Sequence, residues 1–138
     1  MPDVTIKRIE EMDSLGGRFV RCRAELGVTS FGLQVYDLPP NDESIPEHAH
    51  QDMPMERAND GQEEVYIPLS GSATLIADGT EYQLDPGAMV RVGPSQTRKL
   101  ITRHQPAKVL VIGGIPGKPY TAPPFTEIGA PPPAAFAP

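Results

Sequence analysis

A second cysteine is missing, so Cys22 has no partner for an intramolecular disulfide, and the expected compartment is a reducing cytoplasm. No apolar run approaches the roughly 20 residues of a membrane span. Nor do the first residues, Met1 to Glu10, contain an apolar stretch followed by a small-residue cleavage site, which argues against export. Basic residues are also scarce: 12 Lys and Arg stand against 18 Asp and Glu, a net charge of −6. A sequence-independent grip on phosphates therefore lacks its electrostatic source, and nucleic acid is excluded as an expected partner, as is membrane. Arg91, Arg98, Lys99 and Arg103 are too few in this acidic setting to change that, and the default reading of them is solvated strand edges. Internal repeats and long amphipathic helices are absent too; Glu10 to Leu15 has room for one helical turn before Gly16-Gly17.

Short runs of β-branched and aromatic residues fill the first 113 positions instead, broken by Gly, Pro, Asn and Asp. They predict about ten strands: Val4 to Ile9, Arg18 to Ala24, Ser30 to Asp37, Ser44 to His50, Glu64 to Leu69, Ser72 to Ala77, Thr80 to Leu84, Ala88 to Gly93, Arg98 to Thr102 and Ala107 to Gly113. Cys22 is read as a strand residue, without a signature for nucleophile activation. Asp78-Gly79 suits a two-residue hairpin turn, and Asp85-Pro86-Gly87 suits a turn whose corner Pro presets. Many short strands at this spacing define an all-β sandwich or barrel. A chain of this length buries about 68% of its unfolded surface without a staple.

Two segments break the rhythm. Gln51 to Gln62 is polar and breaker-rich, longer than a hairpin connection, and reads as a lid. Within it Asp52, Glu56 and Arg57 are candidate substrate contacts, and Met53 and Met55 are candidates to rest on an apolar rim. From Pro116 onward lie eight of the 17 prolines, a composition that cannot enter a sheet interior. Tyr120, Phe125 and Ile128 are expected to tack the first half of this tail onto the barrel, with Ala130 to Pro138 frayed.

Chemistry concentrates in His48-Ala49-His50. In extended chain the two-residue period sends both imidazoles to one face. Glu64 opens a strand farther on and can point its carboxylate back at them. Two His and one carboxylate are a common ligand set for non-haem iron, manganese or zinc; the same spacing also fits a pair of structural histidines. Tyr66 and Met89 are candidates for the barrel interior.

His48, His50, Glu64 and Gly71, in the order His-x-His, Glu, six residues, Gly, resemble the first motif of the cupin superfamily. Gly87 in Pro86-Gly87-Ala88-Met89-Val90 resembles the start of the second. The resemblance covers about residues 30 to 113 and implies a cupin-type double-stranded β-helix, a jelly-roll barrel in which both motifs lie on adjacent strands. It divides the chain into N-terminal strands over 1–29 that pack on the barrel or on a dimer partner, a barrel over 30–115, and an extended Pro-rich tail over 116–138. It also implies a homodimer, which removes an unpaired edge strand, and a divalent metal (Mn, Fe, Zn or Ni) on His48, His50, Glu64 and a third His.

That third His is absent. Eleven residues on from Gly87 stands Arg98, and His104, in Arg103-His104-Gln105-Pro106, reads as an exposed turn residue. Asp42, Gly93, Ser95 and Thr102 likewise replace the residues usual in the motifs. Arginine is always charged and is not a metal ligand. At about 4 Å and an effective dielectric near 20, each pair of unit charges interacts by about 4 kcal/mol, and a dication facing Arg98 by roughly twice that. Either Arg98 turns away and water completes a three-ligand site, or the metal is absent and Arg98 pairs with Glu64, or Arg98 receives an anionic ligand. Arg98 and Tyr66 are therefore the candidate ligand-binding residues. The expected function is binding of a small molecule, anionic if Arg98 receives it, in a barrel with room for a divalent-metal site and with the activity left open; a metal-dependent dioxygenase, isomerase or decarboxylase, or a metal-free structural or regulatory protein, are the alternatives.

Overall fold

The computed structural model describes residues 2–51 and 60–133. Among them, nine strands form two antiparallel sheets. The first has the order β1-β2-β3-β9-β4-β7 and the second β6-β5-β8. In chain order the strands are β1 Ser14–Leu15, β2 Phe19–Val20, β3 Gly32–Leu38, β4 Glu63–Gly71, β5 Ala73–Ala77, β6 Thr80–Leu84, β7 Val90–Val92, β8 Lys99–Ile101 and β9 Ala107–Gly114. Leu38, Ile45, Tyr66, Leu75, Leu84, Val109 and Val111 belong to one core and are at most 1% exposed. β9 alternates buried and half-buried side chains along its length, as a strand with one face on a core should. This is the all-β jelly-roll architecture that the sequence predicts.

Turn chemistry sets the register. Asp78 and Gly79 both take positive φ, 51° and 75°, and Ala77 pairs with Thr80 across them, as a two-residue primed turn requires. Gly71 is required for space as well as for its φ of 73°: a Cβ there would lie 1.8 Å from the Pro106 carbonyl oxygen.

Three expected strands differ. Arg18 to Ala24 splits into β2 and a five-residue helix, α1, Cys22–Leu26, so Cys22 is a buried helix residue. The run Arg-Ala-Glu-Leu consists of good helix formers, and Gly27 in the left-handed region closes the turn. Val4 to Ile9 finds no strand partner among the described residues; Val4 and Ile6 are 78% and 91% exposed, and a 3-10 turn follows at Ile9–Glu11. Among the described residues Ser44 to His50 makes one bridge, His48 with Arg98. Pro46 has no N–H to give, the Ser44 N–H goes to the Asp42 carboxylate, and Lys99 Nζ donates to the Glu43 and Ile45 carbonyls. Side chains thus satisfy the Ser44 N–H and the Ile45 carbonyl where a ladder would have, while His48 and His50 keep main-chain bonds.

The tail is anchored by Arg21, itself 3% exposed. Its guanidinium donates to the Phe125 and Ala130 carbonyls and to Asp13. Phe125 packs edge-on against Phe19 at 5.4 Å, and Tyr120 lies against Gly32. Ile128, expected to tack the tail down, is instead 54% exposed; Glu127 beside it pairs with Arg23. The expected fraying does not begin at Ala130, which Arg21 holds, and residues 134–138 lie outside the described residues.

Candidate metal centre

Glu64 sits on the interior face of β4, and the alternation that buries it also buries Gln62 and Tyr66. His48 and His50 approach from the facing segment, held by main-chain bonds to the second motif: His48 exchanges both backbone hydrogen bonds with Arg98, and the His50 N–H donates to the Pro94 carbonyl at 2.9 Å. The two separate motifs therefore meet at one place. His50 Nε2 lies 3.0 Å and His48 Nε2 3.9 Å from the same oxygen, Glu64 Oε1.

His48 Nδ1 lies 2.9 Å from the Pro46 carbonyl. A carbonyl only accepts, so Nδ1 is the donor of that contact, which fixes the ring with Nε2 toward Glu64, the orienting contact typical of metal-bound His. The ligand atoms of His48, His50 and Glu64 all lie within 4.8 Å of one another. Donors about 2.1 Å from a shared metal sit roughly 3 Å apart; the His50–Glu64 separation is already of that size, and His48 is somewhat wider. In donor chemistry and spacing this group could hold a divalent metal.

Glu64 is 3% exposed. Burial by itself raises its pKa, but the His48 and His50 imidazoles outweigh that and hold the carboxyl well below its usual range. Tyr66 is 1% exposed. Burial, then the Glu64 charge, push its hydroxyl well above the ordinary phenol value. It stays protonated and donates to Glu64 Oε1 at 3.2 Å.

Arg98 is fully buried, which corrects the default reading of it as a solvated strand edge: the bridge to His48 turns this position inward. One terminal nitrogen lies 4.0 Å from Glu64 Oε1. The terminal nitrogens also donate to the Gly93 carbonyl at 3.2 Å and, more weakly, to the His48 carbonyl at 3.5 Å. The guanidinium thus contributes charge to the site while part of its donor fork is engaged with backbone. Met89, expected inside, is 71% exposed, since it stands in the turn before β7. His104 is exposed between β8 and β9, Arg91 pairs with Glu63, and Arg103 forms a two-pronged pair with Glu81. Asp52, Met53, Met55, Glu56 and Arg57 of the expected lid lie outside the described residues.

Gln62 is the site residue that sequence reasoning missed. Its amide donates to Glu64 Oε2 at 3.3 Å. Its place in a breaker-rich run suggests a loop; its two-residue offset from Glu64 was the available signal.

No family model matches the chain, and no match was found among curated proteins. Solved structures do match. A cupin protein from Bacteroides fragilis is 24% identical, with a TM-score of 0.61 over 84% of this chain and 93% of that one. A sugar phosphate isomerase from a cupin superfamily, from Silicibacter pomeroyi, is 24% identical with a TM-score of 0.58; 71% of this chain spans 59% of that one. The cupin domain of an XRE family transcriptional regulator from Enterobacter cloacae is 18% identical with a TM-score of 0.51, over 65% and 86% of the two chains. This chain is a cupin by fold. None of its described helices is long and apolar enough to cross a membrane.

Proposed function

We propose that this cupin binds a small anionic molecule in its barrel, next to a divalent metal (Mn, Fe, Zn or Ni) held by His48, His50 and Glu64. The observation that carries this reading is the convergence of both Nε2 atoms on one carboxylate oxygen, with the His48 ring fixed by Pro46. Such a metal supplies Lewis acidity and ligand-exchange positions. Arg98 adds a buried positive charge, which favours an anion. Tyr66 supplies a hydroxyl that stays protonated. The reading extends to a cytoplasmic homodimer, supported by the lone buried Cys22 and by the exposed Val4 and Ile6 of the N-terminal segment.

Metal analysis of protein purified without added metal or a chelating tag is the test. About one equivalent of a first-row metal, lost on His48→Ala, supports the reading. A metal-free protein that takes up none on titration sinks it and favours the metal-free alternative, for which the Arg98–Glu64 approach is the supporting contact. If metal is bound, turnover of small organic acids separates an enzyme of dioxygenase, isomerase or decarboxylase type from a binding module.

A further inference from the structure

We propose that Gln62 is a positioning residue that ties up the second carboxylate oxygen of Glu64, so that Glu64 offers a metal Oε1 alone. The inference rests on the metal reading above and concerns the denticity of one ligand. Both histidines face Oε1, while the Gln62 amide donates to Oε2. Tyr66 also donates to Oε1. The residues two before and two after Glu64 thus each hold one of its oxygens, because the strand period places all three on one face.

Packing alone does not account for Gln62. Its Oε1 is buried and has no hydrogen-bond partner among the described residues, a penalty that an apolar side chain of the same size would avoid. The amide cannot reverse to relieve it, since that would set its oxygen against the Glu64 carboxylate. The N–H is therefore the reason for an amide here. Room for it is built into the opposite strand. Gly113 is the cross-strand partner of Glu64, and a Cβ on it would lie 2.8 Å from both Cδ and Nε2 of Gln62. Glycine at 113 opens the slot from which Gln62 reaches Oε2. With Oε2 held, Glu64 takes one coordination position and leaves one more for a small molecule than a chelating carboxylate would.

Co(II) is the probe, read by calorimetry and by its visible absorption, which reports coordination number and symmetry. Gln62→Met keeps the length and removes the N–H. Gly113→Ala displaces the amide with Gln62 still present, so the proposal does not depend on one variant folding. Both are expected to weaken Co(II) binding by about tenfold, the scale of removing an outer contact to a ligand, and to change the visible spectrum. Leu84→Ala, a core truncation, should lower stability and leave the spectrum alone. Co(II) uptake with an unchanged spectrum in the folded variants overturns the role of Gln62 and leaves the metal reading standing; no uptake by the wild type overturns both.

Discussion

Asp42 and Thr102 exchange two hydrogen bonds. The Asp42 N–H donates to the Thr102 hydroxyl, and the Thr102 N–H donates to the Asp42 carbonyl, both at 3.0 Å. These are two of the positions at which the motifs depart from the family pattern, one in each motif, and they are neighbours in space. The Asp42 carboxylate also receives the Ser44 N–H and hydroxyl and pairs with Arg18 at 2.6 Å.

That network predicts a pH signature. Burial raises the Asp42 pKa, but the Ser44 and Arg18 contacts win and hold it below its ordinary value. A carboxyl depressed in the folded state contributes stability above its unfolded pKa of about 3.9 and loses it as pH falls through the lower folded value. Asp42→Asn should cost about 1–2 kcal/mol at pH 7, with the gap closing below about pH 4. Urea denaturation of both proteins at pH 7 and pH 3 checks it, and an equal gap at the two values refutes it.

Arg98 predicts an order of metal affinities. Arg98→His supplies the missing ligand and removes the charge; Arg98→Ala only removes the charge. Calorimetric titration with Mn, Fe(II) or Zn should rank His above Ala above wild type. The gap between Arg98→Ala and wild type should be at least about tenfold, a fraction of the roughly 8 kcal/mol of repulsion before salt screening. Wild type binding as tightly as Arg98→His would mean that the guanidinium, 4.0 Å from Glu64, leaves the metal undisturbed. Arg98→Ala should also cost about 3 kcal/mol of stability, because it breaks a buried charge pair.

Two turn glycines should respond differently to alanine. At Gly79 a Cβ meets nothing within 4 Å, so only left-handed strain remains, about 1–2 kcal/mol. At Gly71 the same strain adds to the collision with Pro106, and the loss should exceed about 3 kcal/mol or prevent folding. Thermal melts of the two variants decide it.

Self-association is the expected fate of the N-terminal segment. Val4 and Ile6 are exposed apolar residues on a stretch without a strand partner among the described residues, and pairing with a second copy would cover them. Sedimentation at micromolar concentration should show a dimer, weakened by Ile6→Lys. A monomer throughout would rule this out.

The barrel was legible because period-2 burial and turn chemistry act locally: Asp78-Gly79 brackets the hairpin and Thr80–Leu84 falls where expected. Counting from Gly87 found Arg98 but could not say where its nitrogens go, since that depends on carbonyls of residues 48 and 93. The Ser44 to His50 strand was misjudged because side chains of Asp42 and Lys99 took over the Ser44 N–H and the Ile45 carbonyl, leaving a single bridge at His48 among the described residues. Gln62 escaped notice for a similar reason: what makes it a site residue is the empty space at Gly113, on another strand.

Arg21 has a consequence for the order of events during synthesis. Its buried guanidinium is matched by carbonyls 104 and 109 residues farther along. While the ribosome is still making the barrel, this cation has only Asp13 to answer it and no reason to leave water. Closure of the β1–β2 hairpin over the core should therefore wait until residues 125 to 130 have been made.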